Sequence, residues 1–163
     1  ATYDESNWGF EAWTASNPPA GFIKKTTGFD AVQSDVANSG VSACQLTWYS
    51  TNNQDLLQGF YLDIAPGQTA VFDLYVWDAD VNGRLRQFLT FYDAYGKSLG
   101  NKFPYTYSNN VTNDEEGWFM MSYSFEAPEN AAFVRGWVRL YDVGGLPETG
   151  ATVFIDDWNV YVN

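Results

Sequence analysis

The chain has 163 residues, 20 acidic against 8 basic side chains for a net charge of -12, no histidine and one cysteine. Without histidine there is no imidazole triad or proton shuttle. One cysteine excludes an intrachain disulfide framework, zinc–thiolate clusters and iron–sulfur ligation, and the acidic balance argues against nucleic acid, whose phosphates need concentrated Lys and Arg. One domain over 1–163 accounts for the length, and 45% apolar residues suffice for a core. With 7 Trp, 11 Tyr and 12 Phe, 18% of the chain is aromatic, more than one small core needs. No stretch approaches the roughly 20 apolar residues of a membrane-spanning helix. The opening at Ala1 fits a mature secreted chain or an excised module.

Apolar residues alternate with period two between Pro- and Gly-marked turns, which predicts strands and almost no helix. In chain order the predicted strands are 7–13, 20–25, 42–50, 58–64, 69–78, 84–93, 117–126, 132–141 and 152–162. Turn chemistry separates them at Pro18-Pro19, Ser39-Gly40, Pro66-Gly67, Asn82-Gly83, Gly96, Pro128 and Gly144-Gly145. Nine strands at this spacing imply an all-β, two-sheet antiparallel β-sandwich of jelly-roll type. Cys44, within CQLTW, reads as a small buried apolar residue. Residues 94–116 read as one long loop. Its sequon Asn110-Val111-Thr112 marks a loop more strongly than a glycan, and Asp114, Glu115 and Glu116 read as solvated acids.

Parity then divides each strand into two faces. In 132–141, Val134, Val138 and Leu140 face the core, leaving Phe133, Arg135, Trp137, Arg139 and Tyr141 outside. In 84–93, Leu85, Leu89 and Phe91 face inward, with Arg84, Arg86, Phe88 and Tyr92 outward. In 69–78, Phe72, Leu74 and Val76 oppose Asp73, Tyr75 and Trp77. The Asn-Gly turn makes 69–78 and 84–93 neighbours in one sheet, with 132–141 conjectured beside them. Tyr75, Trp77, Trp137 and Tyr141 among Arg84, Arg86, Arg135, Arg139 and Asp73 would then form a single outer face suited to carbohydrate. Sugar C–H faces pack on aromatic planes, and hydroxyls bond guanidinium and carboxylate groups. Arginine stacked on an aromatic merely to cover a sheet is the alternative for any one residue.

The run DADVNGR (78–84) opens like a calcium loop, but Leu89 stands where its acidic twelfth residue belongs, and a hairpin turn explains it better. Glu11 and the pair Asp156-Asp157 lie near opposite chain ends, where carboxylates and carbonyls could assemble a cation site or remain solvated edge charge. No nucleophile elbow, zinc-protease motif or phosphate-binding loop occurs. Nor does any strand carry the E-x-D-x-x-E alternation of jelly-roll glucanases, so catalysis has no support in the pattern.

Four segments resemble calcium-containing β-jelly-roll carbohydrate-binding modules of the galactose-binding-like group. NWGFEAW resembles their N-G-G-F-E opening, and ANSGVSACQLTW is similar to their S-G-x-x-S/A-L strand. PGQTAVFDLYVW resembles a P-G-led aromatic strand, and TVFIDDWNVY resembles the closing F-x-I-D-D-V-x-V-Y. The resemblance implies a non-catalytic, monomeric, secreted module attached to a glycan-degrading enzyme. It further implies a polysaccharide ligand, such as a plant-cell-wall glucan, mannan or xylan. A structural Ca2+ is implied near Gly9, Glu11, the 33–42 region and Asp156, with Asp157 as the other choice. Four arginines on the outer face depart from the family pattern: mannan, xylan and β-glucan need aromatics plus amides, whereas uronates or sulfates favour Arg. The net charge of -12 repels a polyanion at range unless a local arginine patch outweighs it. A small jelly-roll lyase or glucanase, or a protein-binding adhesion domain, are the other readings.

Overall fold

The computed structural model describes residues 7–13, 17–78, 80–108, 117–142 and 150–163. The sequon at Asn110, the acids Asp114, Glu115 and Glu116, and the Gly144-Gly145 turn lie outside them. The described residues form two antiparallel sheets. Sheet A runs β1 (Phe22–Lys24), β4 (Gln54–Gln58), β10 (Phe133–Asp142), β7 (Gly83–Tyr92), β8 (Ser98–Lys102), and β5 (Leu62–Asp63) adds two residues to β10. Sheet B runs β2 (Phe29–Ser34), β3 (Ala43–Trp48), β11 (Ala151–Val162), β6 (Thr69–Trp77), β9 (Phe119–Glu126). This is the expected all-β sandwich of jelly-roll type.

Alternation sets what lies between the sheets. Leu85, Leu89 and Phe91 of β7 and Val134, Val138 and Leu140 of β10 meet Phe72, Leu74 and Val76 of β6 and Val153, Ile155 and Val160 of β11, all essentially without exposure. Trp48, Trp158, Phe10, Phe29 and Phe60 are also fully buried, so part of the aromatic excess is core. Several polar side chains of this layer find partners, as burial demands. The Trp158 indole donates to Gln58 Oε1 at 3.0 Å, and Gln87 Nε2 crosses from β7 to the carbonyls of Phe72 (3.2 Å) and Met121 (3.0 Å). Cys44 is buried and free, and burial, then the charge of Asp156, pushes its thiol pKa well up. It is the inert residue its context suggested.

Three expectations change. Residues 7–13 are not a strand. Phe10 has a φ of 54°, its N–H bonds to Asn7 O at 2.9 Å, and Asn7 Oδ1 takes the Ala12 N–H at 2.7 Å. The turn and the asparagine side chain occupy backbone groups that a ladder would need. Second, β6 and β7 are not neighbours. They lie in opposite sheets, because both edges of β6 are taken by β11 and β9. The segment between them is no hairpin turn: Asp80 accepts from Asn82 N–H (2.9 Å) and reaches Thr152 N–H (3.0 Å), steering the chain across the sandwich. Third, β2, β4 and β8 occupy stretches without a clean alternating signal, β8 within the expected 94–116 loop.

The two sheets approach closely at Gly136 of β10. A Cβ on Gly136 would stand 2.7 Å from Val160 Cγ2 and 3.1 Å from Gln58 Oε1. Gly136→Ala should therefore overpack the interior and lower stability by about 1–3 kcal/mol, measured as a reduced urea midpoint.

Candidate functional site

The outer face of sheet A is fixed by the β7–β10 ladder, which pairs Tyr141 with Arg84, Arg139 with Arg86, Trp137 with Phe88, Arg135 with Thr90 and Phe133 with Tyr92. Cross-strand partners on one face stand close enough to interact, and here they form a layer of rings and guanidinium groups. Trp137 stacks on Phe88 with centroids 4.1 Å apart and planes at 16°. Arg139 lies 4.9 Å from the Trp137 ring and 5.4 Å from Phe88. Arg84 and Arg86 lie 3.9 and 3.8 Å from the ring of Tyr107, and Arg135 lies 4.7 Å from Tyr61.

Ion pairing is uneven across this layer. Arg139 is paired, with Nε and Nη2 donating to the two oxygens of buried Asp55 at 2.7 and 2.9 Å. This fork holds the guanidinium charged and raises its pKa, the hydrogen bond to Asp55 being the largest cause. Arg84, Arg86 and Arg135 have no carboxylate partner among the described residues. Their Nε–H groups are covered and find no acceptor among the described residues, while Arg135 Nη2 donates to the Tyr92 hydroxyl at 3.1 Å. Burial raises the Tyr141 phenol pKa, against the lowering effect of Arg86 and Arg139.

A polar hollow of about 280 Å³ lies on this face, with Lys25, Arg135 and Arg139 around it and Leu57, Thr90 and Trp137 beneath. Tyr92 borders it and also borders a second hollow of about 370 Å³ between Tyr61, Asp63 and Phe133, so the two adjoin along the sheet. Thr90 ties the floor together, accepting from the Trp137 indole at 2.8 Å and donating to Asn101 Oδ1 at 2.7 Å. Tyr61 is 45% exposed beside the groove. Aromatic edges, hydroxyls, an amide and guanidinium groups together can hold a polyhydroxylated chain by packing and hydrogen bonds.

The structure brings together Arg84, Arg86, Arg135, Trp137, Arg139 and Tyr141, but not Asp73, Tyr75 and Trp77, which lie on the outer face of sheet B. The single face expected from the sequence is thus two faces, a direct consequence of β6 crossing to the other sheet. On sheet B, Trp77 meets Phe154 (5.8 Å) and Trp118 (6.1 Å), and Asp73 accepts from the Ser122 hydroxyl. Trp137 also differs from expectation. It faces outward yet is 5% exposed, covered by Arg139, Phe88 and the neighbouring strand. Residues not singled out as ligands from the sequence are Lys25, Tyr61, Asn101 and Tyr107. Tyr92 and Phe88 carried the right parity signal on β7; Asn101 and Tyr107 fell in the expected loop.

The chain ends meet at a second cluster. Glu11 accepts from Val41 N–H (3.1 Å) and Ser42 N–H (3.2 Å), and a Cβ on Gly40 would lie 2.0 Å from its Oε1. Asp156, fully buried, takes Asn38 N–H (2.9 Å) and Ser39 N–H (3.1 Å) on Oδ2 and Asp157 N–H (2.8 Å) on Oδ1. Asp157 accepts from Ser39 Oγ and Asn38 Nδ2. Gly9 approaches both Glu11 and Asp157. Burial above all, helped by the charge of Asp157, pushes the Asp156 carboxyl up to about 6 against the N–H groups that favour its ionised form. Three carboxylates without a Lys or Arg between them have the oxygen chemistry of a calcium site. As drawn, however, their oxygens face N–H donors, and no three such groups among the described residues converge with metal-ligand spacing. Residues expected as ligands are therefore adjacent: Glu11, Asp156 and Asp157 meet the 38–42 loop, and Gly9 lies beside Glu11 and Asp157.

No protein-family model matches the chain, and no curated protein matches it in sequence. Solved structures share its fold. A cyclase from Fischerella sp. TAU superimposes with a TM-score of 0.63 at 14% identity, over 100% of this chain and 97% of that one. The C-terminal family 22 carbohydrate binding module of Clostridium thermocellum Xyn10B gives 0.58 at 13%, over 98% and 96%. The CBM22-1 xylan-binding domain of Paenibacillus barcinonensis Xyn10C gives 0.56 at 11%, over 90% and 88%. The enzymatically active domain of bacteriophage CBA120 tailspike protein 4 gives 0.65 at 9%, and this chain spans 20% of its length. The chain has a carbohydrate-binding-module-like jelly-roll fold. No helix among the described residues is long and apolar enough to cross a membrane.

Because Trp137 is buried and its indole N–H is bonded, Trp137→Ala should cost about 3 kcal/mol of stability, seen in urea unfolding. Loss of ligand in that variant would then report folding as much as contact.

Proposed function

We propose that this chain is a non-catalytic module that binds a polysaccharide, a plant-cell-wall β-glycan of the xylan, mannan or glucan type, along the outer face of sheet A. The observation that carries this reading is the pair of adjoining hollows around Tyr92, lined by aromatic rings, hydroxyls and guanidinium groups. Tyr61 and Tyr92 stack on sugar rings, while Arg135, Asn101 and Lys25 bond hydroxyls. Asp55 is bound to Arg139 at both oxygens, and among the described residues lining the two hollows Asp63 is the one acid, without the second carboxylate of the pair that hydrolysis requires. Neighbours that bear the words xylan-binding and carbohydrate binding module, some within multidomain chains, support the ligand class and a role as a targeting module joined to a secreted glycan-degrading enzyme.

Tyr61→Ala combined with Tyr92→Ala should reduce retention on xylan, glucomannan or β-glucan affinity gels at least tenfold. Trp77→Ala, on the opposite sheet, should leave retention unchanged. The reverse pattern would move the ligand to sheet B and overturn the assignment.

Calcium is the second part of the reading, held by Glu11 with Asp156 or Asp157 and carbonyls near Gly9 and the 38–42 loop. An ion bound only by the folded state stabilises by mass action. Saturating calcium at ~100 times its Kd should raise Tm by roughly 5–10 °C over a chelated sample, and Glu11→Gln should abolish the difference. Identical melting with chelator and with calcium would remove the ion from the reading.

A further inference from the structure

The eight basic residues of the chain lie on or beside the strands of sheet A, and the strands of sheet B carry none. Five of them, Lys25, Arg84, Arg86, Arg135 and Arg139, line its outer face; Lys24 instead lies 3.9 Å from Asp30 of sheet B, and Lys102 pairs with inward-facing Leu89. Among the described residues the acids on outward positions of its strands are Asp55, held by Arg139, and Asp63. The described outer face of sheet A therefore carries more cations than acids within an anionic protein.

Three of the four arginines there meet no carboxylate among the described residues. Arg139 is paired with Asp55, whereas Arg84, Arg86 and Arg135 are held against Tyr107, Tyr61 and Tyr92 by ring contacts. Stacking fixes each guanidinium plane, so little freedom is lost when its N–H fork takes a planar or tetrahedral oxyanion. Sugar hydroxyls would satisfy those N–H groups but not the charge; an oxyanion satisfies both. Repulsion from acids elsewhere on the surface is screened through solvent beyond a Debye length of about 8 Å at physiological salt, so contacts within the groove weigh more than the net charge.

We infer that the polysaccharide bound on sheet A is acidic, its uronate carboxylate or sulfate ester seated against Arg135 and Lys25 in the hollow also lined by Arg139, itself paired with Asp55. This rests on the polysaccharide reading and specifies the class of ligand. The shared chemistry is a monoanionic oxygen group on an otherwise neutral glycan.

The test compares four polymers of one backbone by calorimetry and affinity gels on the intact chain: glucuronoxylan, the same polymer with its carboxyls reduced to alcohols, unsubstituted xylan, and sulfated xylan. Glucuronoxylan should bind at least tenfold tighter than its reduced form, with the difference shrinking as salt rises from 20 to 500 mM. Preference for sulfated over unsubstituted xylan, with no effect of carboxyl reduction, would also support an acidic ligand and name the sulfate. Arg135→Gln should narrow the ratio between charged and neutral polymers at least threefold, which diffuse ionic adsorption would not do. Equal binding of all four would overturn the acidic ligand and leave polysaccharide binding standing. Retention of none, with no other neutral glycan bound, would overturn both.

Discussion

Everything on the candidate ligand face follows from one register, the ten-residue antiparallel ladder between β7 and β10. Side chains in a strand alternate, so a slip of one residue in β7 would turn Arg84 and Arg86 into the core and Leu85 and Leu89 out of it, and a slip in β10 would do the same with Arg135 and Arg139 against Val134 and Val138. Burying two guanidinium groups without partners is prohibitive, and the hydrophobic pattern therefore specifies the register strongly. With it fixed, Arg84 must oppose Tyr141, Arg86 must oppose Arg139, and Trp137 must lie on Phe88. Pairing of β10 with β4 on its other edge then brings Asp55 opposite Arg139, neutralising one arginine of four.

The two sheets divide the chemistry as well as the core. Sheet A collects the arginines and a ring-lined groove; sheet B carries the cluster that ties Glu11 and Asp156 to the 38–42 loop. That cluster anchors the irregular 7–13 segment, whose Trp8 carbonyl accepts the Trp158 N–H at 2.9 Å as β11 passes its bulge. A net charge of -12 thus describes the protein as a whole and says little about the groove.

Strand parity is legible in the sequence because aliphatic residues recur every second position in β6, β7 and β10. That periodicity also exposes the outward arginines. Sheet membership is not legible there. The Asn82-Gly83 pair has the composition of a tight hairpin, yet the chain crosses the sandwich because Asp80 bonds β11 and both edges of β6 are filled. This sends Trp77 to a different face from Trp137. Burial of an outward residue is hidden too: Trp137 is covered by Arg139 and Phe88, contacts that exist only once β4, β7 and β8 are assembled. The juxtaposition of Glu11, Gly9 and Asp156 follows the resemblance of the opening and closing segments. The N–H groups that meet their carboxylates come from a loop whose path no local pattern specifies. Residues such as Lys25, Tyr61 and Asn101 lie at strand ends or edges, where alternation carries little information.

The placement of ligand on sheet A is tested most directly by following the arginine Nε–H and tryptophan indole resonances while an acidic xylo-oligosaccharide is added. Ligand in the groove should shift Arg135 Nε–H first, with Arg84 and Arg86 responding and the Trp77 indole unmoved. Shifts confined to the Trp77 and Trp118 indoles, with the arginines silent, would contradict it.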